Sequence, residues 1–376
     1  MPRVTLIGAG FGALTALTTL RRCDRDLEID LIAPKPEFVF YPATIWIPTG
    51  QIEPAQVEIP LQPLFQRLRV RFHAARVSAI EADGRSVIAD GQRIENDGLI
   101  IAAGARYLDT IPGLEHSFGP CGGVAEMQRL GEQLRALDGG RLVFGLAENP
   151  DEPGARRAGP LFELLFGIET WLRRCGRCEH FELVLVAESE QPGGKFGPGV
   201  VKRLLTRMRA RGIGVRLGER TTRVEADRVV TDRGEIGSDL TVFMSGLTGP
   251  RWLSETTLPR SPGGLVATDE HCRVTGLDRV YAVGDIASHP GPDWLPRRGH
   301  NADLHAAVAA RNLHAELGDK PVSRRIRPEM MAVLDMHDRA MLIARKGGLR
   351  ITLPTFFGFH WLKRAFSWNY VRKYRK

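Results

Sequence analysis

The sequence has few cysteines, no long apolar run and, after Asp338, no acidic residue at all. Its five cysteines, Cys23, Cys121, Cys175, Cys178 and Cys272, are too sparse for a disulfide framework, and their number is odd. Cys175 and Cys178 form a lone C-x-x-C. Zinc would need a second ligand pair, so no metal site is predicted. The pair also follows an amphipathic stretch instead of opening one, which speaks against thioredoxin-like chemistry. No apolar stretch reaches the roughly 18 residues that span a bilayer. No charged-then-apolar leader is read ahead of the first strand, which starts at Arg3.

The missing acids make the charge lopsided. The chain carries +8, and ten basic residues follow Asp338, from Arg339 to Lys376. Without those ten, 42 basic residues face 44 acidic ones, a balance of −2. A basic protein often binds nucleic acid. Here the basic segment is also dense in large aromatics, Phe356 to Tyr370, which points to a membrane surface and away from nucleic acid. At 100° per residue Trp361, Leu362, Ala365, Phe366 and Trp368 share one side of a helix, with Lys363, Arg364 and Ser367 on the other.

At 376 residues the chain is too long for one compact α/β domain. Residues 3–7 read as a buried strand, Leu14 to Arg22 as a helix and Leu27 to Ala33 as a second strand, a βαβ unit with glycines at its first turn. Further strands are predicted at Val70–Phe72 and Leu99–Ala102. A second α/β pattern opens near Arg141, with strands at Leu142–Phe144, Phe181–Ala187, Gly214–Leu217 and Leu240–Met244. Helices lie between them at Pro160–Arg173 and Val200–Arg211, and a hairpin-like stretch at Thr222–Asp232. The fold class is therefore α/β, with two Rossmann-like dinucleotide-binding domains, the second inserted in the first. The expected division is 1–112 with 247–318, then 113–246, then a region 319–376 with an amphipathic membrane-binding helix.

Gly8-x-Gly10-x-x-Ala13, with Phe11 and Gly12 inside it, fits the dinucleotide fingerprint. Gly8 permits the tight turn, Gly10 lets backbone approach a pyrophosphate, and Ala13 allows close helix–strand packing. The helix N-terminus adds free N–H groups and partial positive charge. The acidic residue that usually ends the second strand is absent, and Ala33-Pro34-Lys35 stands there. Ribose must then be held by backbone groups or reached by Lys35, which weakens an NAD reading of this site. The apolar strand Val280–Val283 ends in Gly284-Asp285, the pattern of an aspartate that bonds the ribityl chain of FAD. The predicted cofactor is FAD.

With these motifs the chain resembles the sulfide:quinone oxidoreductase family, within the group that includes type II NADH dehydrogenases. Residues 38–50, Phe38 to Gly50, look like the family's flavin-facing segment and include Pro42. Ala102-Ala103-Gly104, with Pro112-Gly113 downstream, is similar to its A-T-G…P-G turn, and Pro296-Arg297-Arg298-Gly299 to its P-K-T-G helix start. The resemblance places Val77, Ala103, Gly104, Arg106, Arg297 and Gly299 among the cofactor contacts. It also implies that the helix from Gly299 to Leu317 points its positive end at the pyrimidine side of the flavin, favouring the anionic reduced form.

Two things the family has are missing. Its sulfide chemistry uses two cysteines flanking the flavin. By the register of Gly159-Pro160-Leu161-Phe162-Glu163, the first is replaced by Arg157, and near Ala332-Val333-Leu334 there is no second. A two-cysteine relay is excluded. Cys121, in the inter-domain loop, is the cysteine left as a redox candidate. The second glycine motif of NADH dehydrogenases is also absent. Phe144-Gly145-Leu146-Ala147-Glu148-Asn149-Pro150-Asp151 stands in its place, and Glu148, Asp151 and Glu152 oppose a pyrophosphate there. Glu163 is either a proton carrier to the acceptor or a helix glutamate paired with an arginine, and Arg157 either holds an anionic substrate or is a screened charge. His300 and His305 are read as structural. The expected function is an FAD-dependent oxidoreductase, peripheral on the cytoplasmic side of the cell membrane. It would pass electrons from a small reductant, sulfide among the candidates, to a quinone. Alternatives are an NAD(P)H:quinone oxidoreductase and a flavin-binding membrane subunit with little turnover; a homo-oligomer is left open.

Overall fold

A computed structural model describes residues 1–375. Five parallel strands form the first sheet, in the order Val280–Ala282, Gly98–Ile101, Arg3–Ile7, Glu28–Ala33, Val70–Ala74. Its three inner strands are almost wholly buried, as expected of a parallel sheet covered on both faces by crossover segments. Helix Phe11–Cys23 and helix Gly299–Leu317 pack together on one face, tied by Thr15 Oγ1 donating to Asp303 at 2.6 Å. The chain thus closes its first sheet with a strand and helix from far downstream, placing Gly284 and Asp285 across from the first glycine turn.

A second sheet is also parallel, ordered Gly214–Leu217, Phe181–Ala187, Gly140–Leu146, Leu240–Met244. Helix Gly159–Arg174 lies against it with all but its last turn buried. The hairpin-like stretch is three antiparallel strands, Thr221–Val224, Arg228–Thr231 and Gly234–Gly237.

The C-terminal region holds an element the sequence reading missed. Strands Glu329–Asp335, Ala340–Lys346 and Leu349–Phe356 form an antiparallel sheet before the terminal helix Phe357–Arg375 begins. On the helix's apolar side Trp361, Leu362, Phe366 and Trp368 are exposed. On its other side the expectation is overturned. Lys363 and Ser367, predicted to stay wet, are buried with His360, Val371 and Tyr374. Those five recur every three or four residues, so the stripe facing the protein is largely polar and the large rings face outward. None of the described helices is long and apolar enough to cross a membrane.

Candidate functional site

One cavity of about 1640 Å³ runs between the two parallel sheets and down to the terminal helix. At its upper end lies the first glycine turn. Gly8 has φ +109°, and a side chain there would overlap the carbonyl of Ala102, so only glycine serves. A Cβ on Gly10 would meet nothing within 4 Å, because that position opens onto the cavity. Helix Phe11–Cys23 begins here with no side-chain cap, leaving its first N–H groups directed at the same space. Gly12 and Phe11 complete the turn, while Ala13 is fully buried behind it, the packing role its size implies.

Most of the predicted cofactor residues line this cavity. Pro34 and exposed Lys35 flank the adenosine end, and Pro42, Ala103, Gly104 and Arg106 the middle. Gly284, Asp285, Arg297 and Gly299 close the far wall. Val77 does not join them. It lies on the antiparallel sheet Val77–Ile80, Ser86–Ala89, Gln92–Glu95, packed on the core beneath the first sheet. Arg297 is no solvated cation. It donates to the carbonyls of Gly154, Asp285 and Ala287 and pairs with buried Glu152 at 3.3 Å, a brace between the two sheets. Gly299 must be small because a side chain would strike the ring of Phe11, 2.7 Å from the added Cβ.

The three predicted catalytic residues all reach the cavity, in two groups. Arg157 donates to Asp285 at 2.8 Å and lies 3.8 Å from the Cys121 sulfur. Burial works against its charge, but Asp285, then Cys121 and Tyr107, outweigh it and hold the guanidinium protonated. The neighbouring Tyr107 hydroxyl is buried without a partner among the described residues. Burial and then Cys121 push its pKa well up, so the hydroxyl stays neutral. Sequence reasoning missed Tyr107, which sits three residues past the Ala103-Gly104 turn and next to the predicted Arg106.

Glu163 forms the second group, and neither sequence reading of it was complete. Its partner is a lysine, not an arginine: Lys363 of the terminal helix donates at 2.5 Å, and the Asp335 backbone N–H donates at 2.9 Å. Burial raises the Glu163 pKa, and Lys363 offsets only part of that rise. Asp335 also accepts from Trp46 at 3.2 Å and from His360 at 2.9 Å, so one buried carboxylate anchors the helix. His300 pairs with Glu329 at 2.8 Å, and His305 is buried against His289; neither lies free in the site.

The cavity fits FAD: the glycine cradle and an uncapped helix start are the features a dinucleotide flavin would satisfy. The place of a second dinucleotide is different. Glu148 pairs with Arg156 at 2.7 Å, Asn149 is buried, and Gly246 presses so closely on Asn149 that no Cβ would fit. Glu152, expected to crowd this place, instead turns toward Ser261, Ser288 and Arg297.

Residues 167–310 match the family model described as pyridine nucleotide-disulphide oxidoreductase. The chain is 25% identical to the sulfide-quinone reductase of Aquifex aeolicus over 358 residues, covering 90% of this chain and 82% of the relative. It is 24% identical to the type II NADH:quinone oxidoreductase Ndh of Mycobacterium tuberculosis, covering 86% and 74%. The solved structure of the Aquifex aeolicus sulfide:quinone oxidoreductase superposes with a TM-score of 0.90 at 22% identity, over 100% of this chain and 92% of that one. The NDH2 structure from Plasmodium falciparum, determined with NADH, gives 0.77 at 11% identity over 100% and 97%. The chain is an FAD-dependent oxidoreductase that resembles the sulfide:quinone oxidoreductases.

Proposed function

We propose that this FAD-dependent oxidoreductase passes electrons from a small reductant through its flavin to a quinone that arrives from a membrane surface. One observation carries the reading. The cavity that begins at the glycine turn ends on the terminal helix, where Leu362 and Phe366 line it and are also half exposed to the outside. A lipid-soluble acceptor could enter there along apolar surface without crossing water. Trp361, Trp368 and Phe357 extend that outer face, and Arg364, Arg372 and Lys373 flank it, the composition that seats a helix in a headgroup layer. Bound FAD supplies the electron-accepting ring; the chain's own contribution is to position it, exclude water and offer Glu163 as a group that can take up a proton.

The charge and crowding around Glu148 and Asn149 favour a donor other than NADH. The absence of the family's cysteine pair favours a donor that needs no thiol relay, so Cys121→Ser should leave turnover with the true donor largely intact. Sulfide and NADH should be added separately to the purified yellow protein with a short-chain quinone, following flavin absorbance and quinone reduction. A quinone reduced through the flavin by some small donor supports the reading. Flavin bleached fast by NADH would reinstate the nicotinamide alternative. A flavin that no donor bleaches and no quinone reoxidises after chemical reduction would reduce the protein to a binding subunit.

A further inference from the structure

Helix Gly159–Arg174 starts on the cavity without a side-chain cap, and Pro160 has no N–H to give, so the Gly159 and Leu161 amides are its free donors. Over that start lies Arg298. A Cβ on Gly159 would sit 3.2 Å from its Nη2, so the glycine makes room for the guanidinium. Arg298 stacks on Phe196, 5.1 Å from the ring centre, and lines the cavity. Among the described residues, no carboxylate or carbonyl accepts a hydrogen bond from it. The nearby Glu163 is already taken by Lys363. Burial lowers the Arg298 pKa to about 10, with Glu163 opposing the shift and Arg157 adding to it; it remains a cation at neutral pH. The guanidinium is partly buried, and its donors face the cavity with no acceptor among the described residues.

We propose that Arg298, with Arg157 and the start of helix Gly159–Arg174, forms a binding pocket for an oxyanion, and that the reductant is held there by a carboxylate or sulfur-oxyanion group. The inference rests on the quinone-reductase reading above and adds the class of donor. Arg157 stands where the resemblance expects the first cysteine, and Arg298 lies in the helix-start stretch Pro296-Arg297-Arg298-Gly299. Two guanidinium groups on one wall suit planar or tetrahedral oxyanions through forked hydrogen bonds. Glu163, beside the pocket and buried with a raised pKa, is placed to take a proton from the bound molecule.

The test uses the FAD-loaded protein and reads binding, not turnover, so its failure is separate from failure of the quinone assay. Sulfate and acetate are titrated separately against chloride at equal ionic strength, following the flavin absorbance difference spectrum. A saturable change with sulfate, acetate or both, absent with chloride, is expected; sulfate alone would point to a sulfur oxyanion, acetate alone to a carboxylate. Arg298→Thr should weaken it about tenfold or more with FAD content unchanged, and Arg298→Lys by less, since charge is kept and the fork lost. No saturable response to either anion would overturn the proposal. So would an undiminished response in Arg298→Thr, or loss of FAD from both variants, which would make Arg298 a cofactor contact instead.

Discussion

Lys363 and Glu163 meet 200 residues apart in sequence, and each is about one-tenth exposed. A buried pair of this kind contributes little net stability, but breaking it leaves one charge stranded at a cost of about 3–5 kcal/mol. Glu163→Gln should therefore lower the melting temperature and slow quinone turnover, while Glu163→Gln with Lys363→Met should recover much of the stability and none of the turnover. A thermal melt of the three proteins measures this; a single variant as stable as the parent would contradict the pairing. Two of the buried histidines illustrate part of the pH dependence. Burial lowers His337 to about 3 and His305 to about 4, from an ordinary 6.5, so both are neutral in the fold. On unfolding they take up protons below pH 6.5. The stability they supply is complete above that pH and is lost as pH falls toward 3, on the order of 3 kcal/mol for His305 alone. Urea midpoints between pH 7 and 4 should fall less steeply in His305→Gln. At Gly10, where a side chain would enter the cavity, Gly10→Glu should give folded but colourless protein.

At the scale of elements, the terminal helix allows a sharper experiment than its removal. Truncation would uncover the pockets filled by His360, Lys363, Val371 and Tyr374 and damage the body with the anchor. Trp361→Ser, Phe366→Ser and Trp368→Ser touch exposed rings only. Allowing about 1 kcal/mol for each half-engaged ring, the triple variant should bind anionic vesicles about 100-fold more weakly and keep its melting temperature. Undiminished co-sedimentation would assign the outer face to something other than lipid. The parallel strands and the helices between them were legible because they bury continuous apolar runs bounded by glycine turns. The antiparallel sheet from Glu329 to Phe356 was not. Its last strand is mostly exposed, and Arg345 and Lys346 at the end of the middle strand and Arg350 in the last interrupt the alternation. The wet-and-dry assignment of the terminal helix failed for a related reason. Periodicity separates two faces but cannot tell which one the protein covers, and here buried carboxylates draw in the cationic side.

For the whole molecule, the excess positive charge lies on the last 38 residues, beside the face with exposed rings. Vesicle binding should thus weaken between 0.05 and 0.5 M salt (roughly a threefold drop in screening length) and vanish sooner on neutral lipid. Salt-insensitive binding would mean the cations play no part. The site was legible wherever chemistry is written in contiguous motifs: Gly8 to Ala13, Ala103-Gly104, Gly284-Asp285. What was not legible came from long-range pairings such as Arg157 with Asp285 and Glu163 with Lys363, since no local pattern records which distant charge will be neutralised. The last of these has a thermodynamic consequence. Lys363 belongs to the helix that would meet lipid and Glu163 to the wall of the flavin cavity. Seating of the helix and protonation of the carboxyl are therefore linked equilibria. By reciprocity, any cavity ligand that alters the charge of Glu163 and thereby shifts the affinity for vesicles must have its own affinity shifted by vesicles by the same factor.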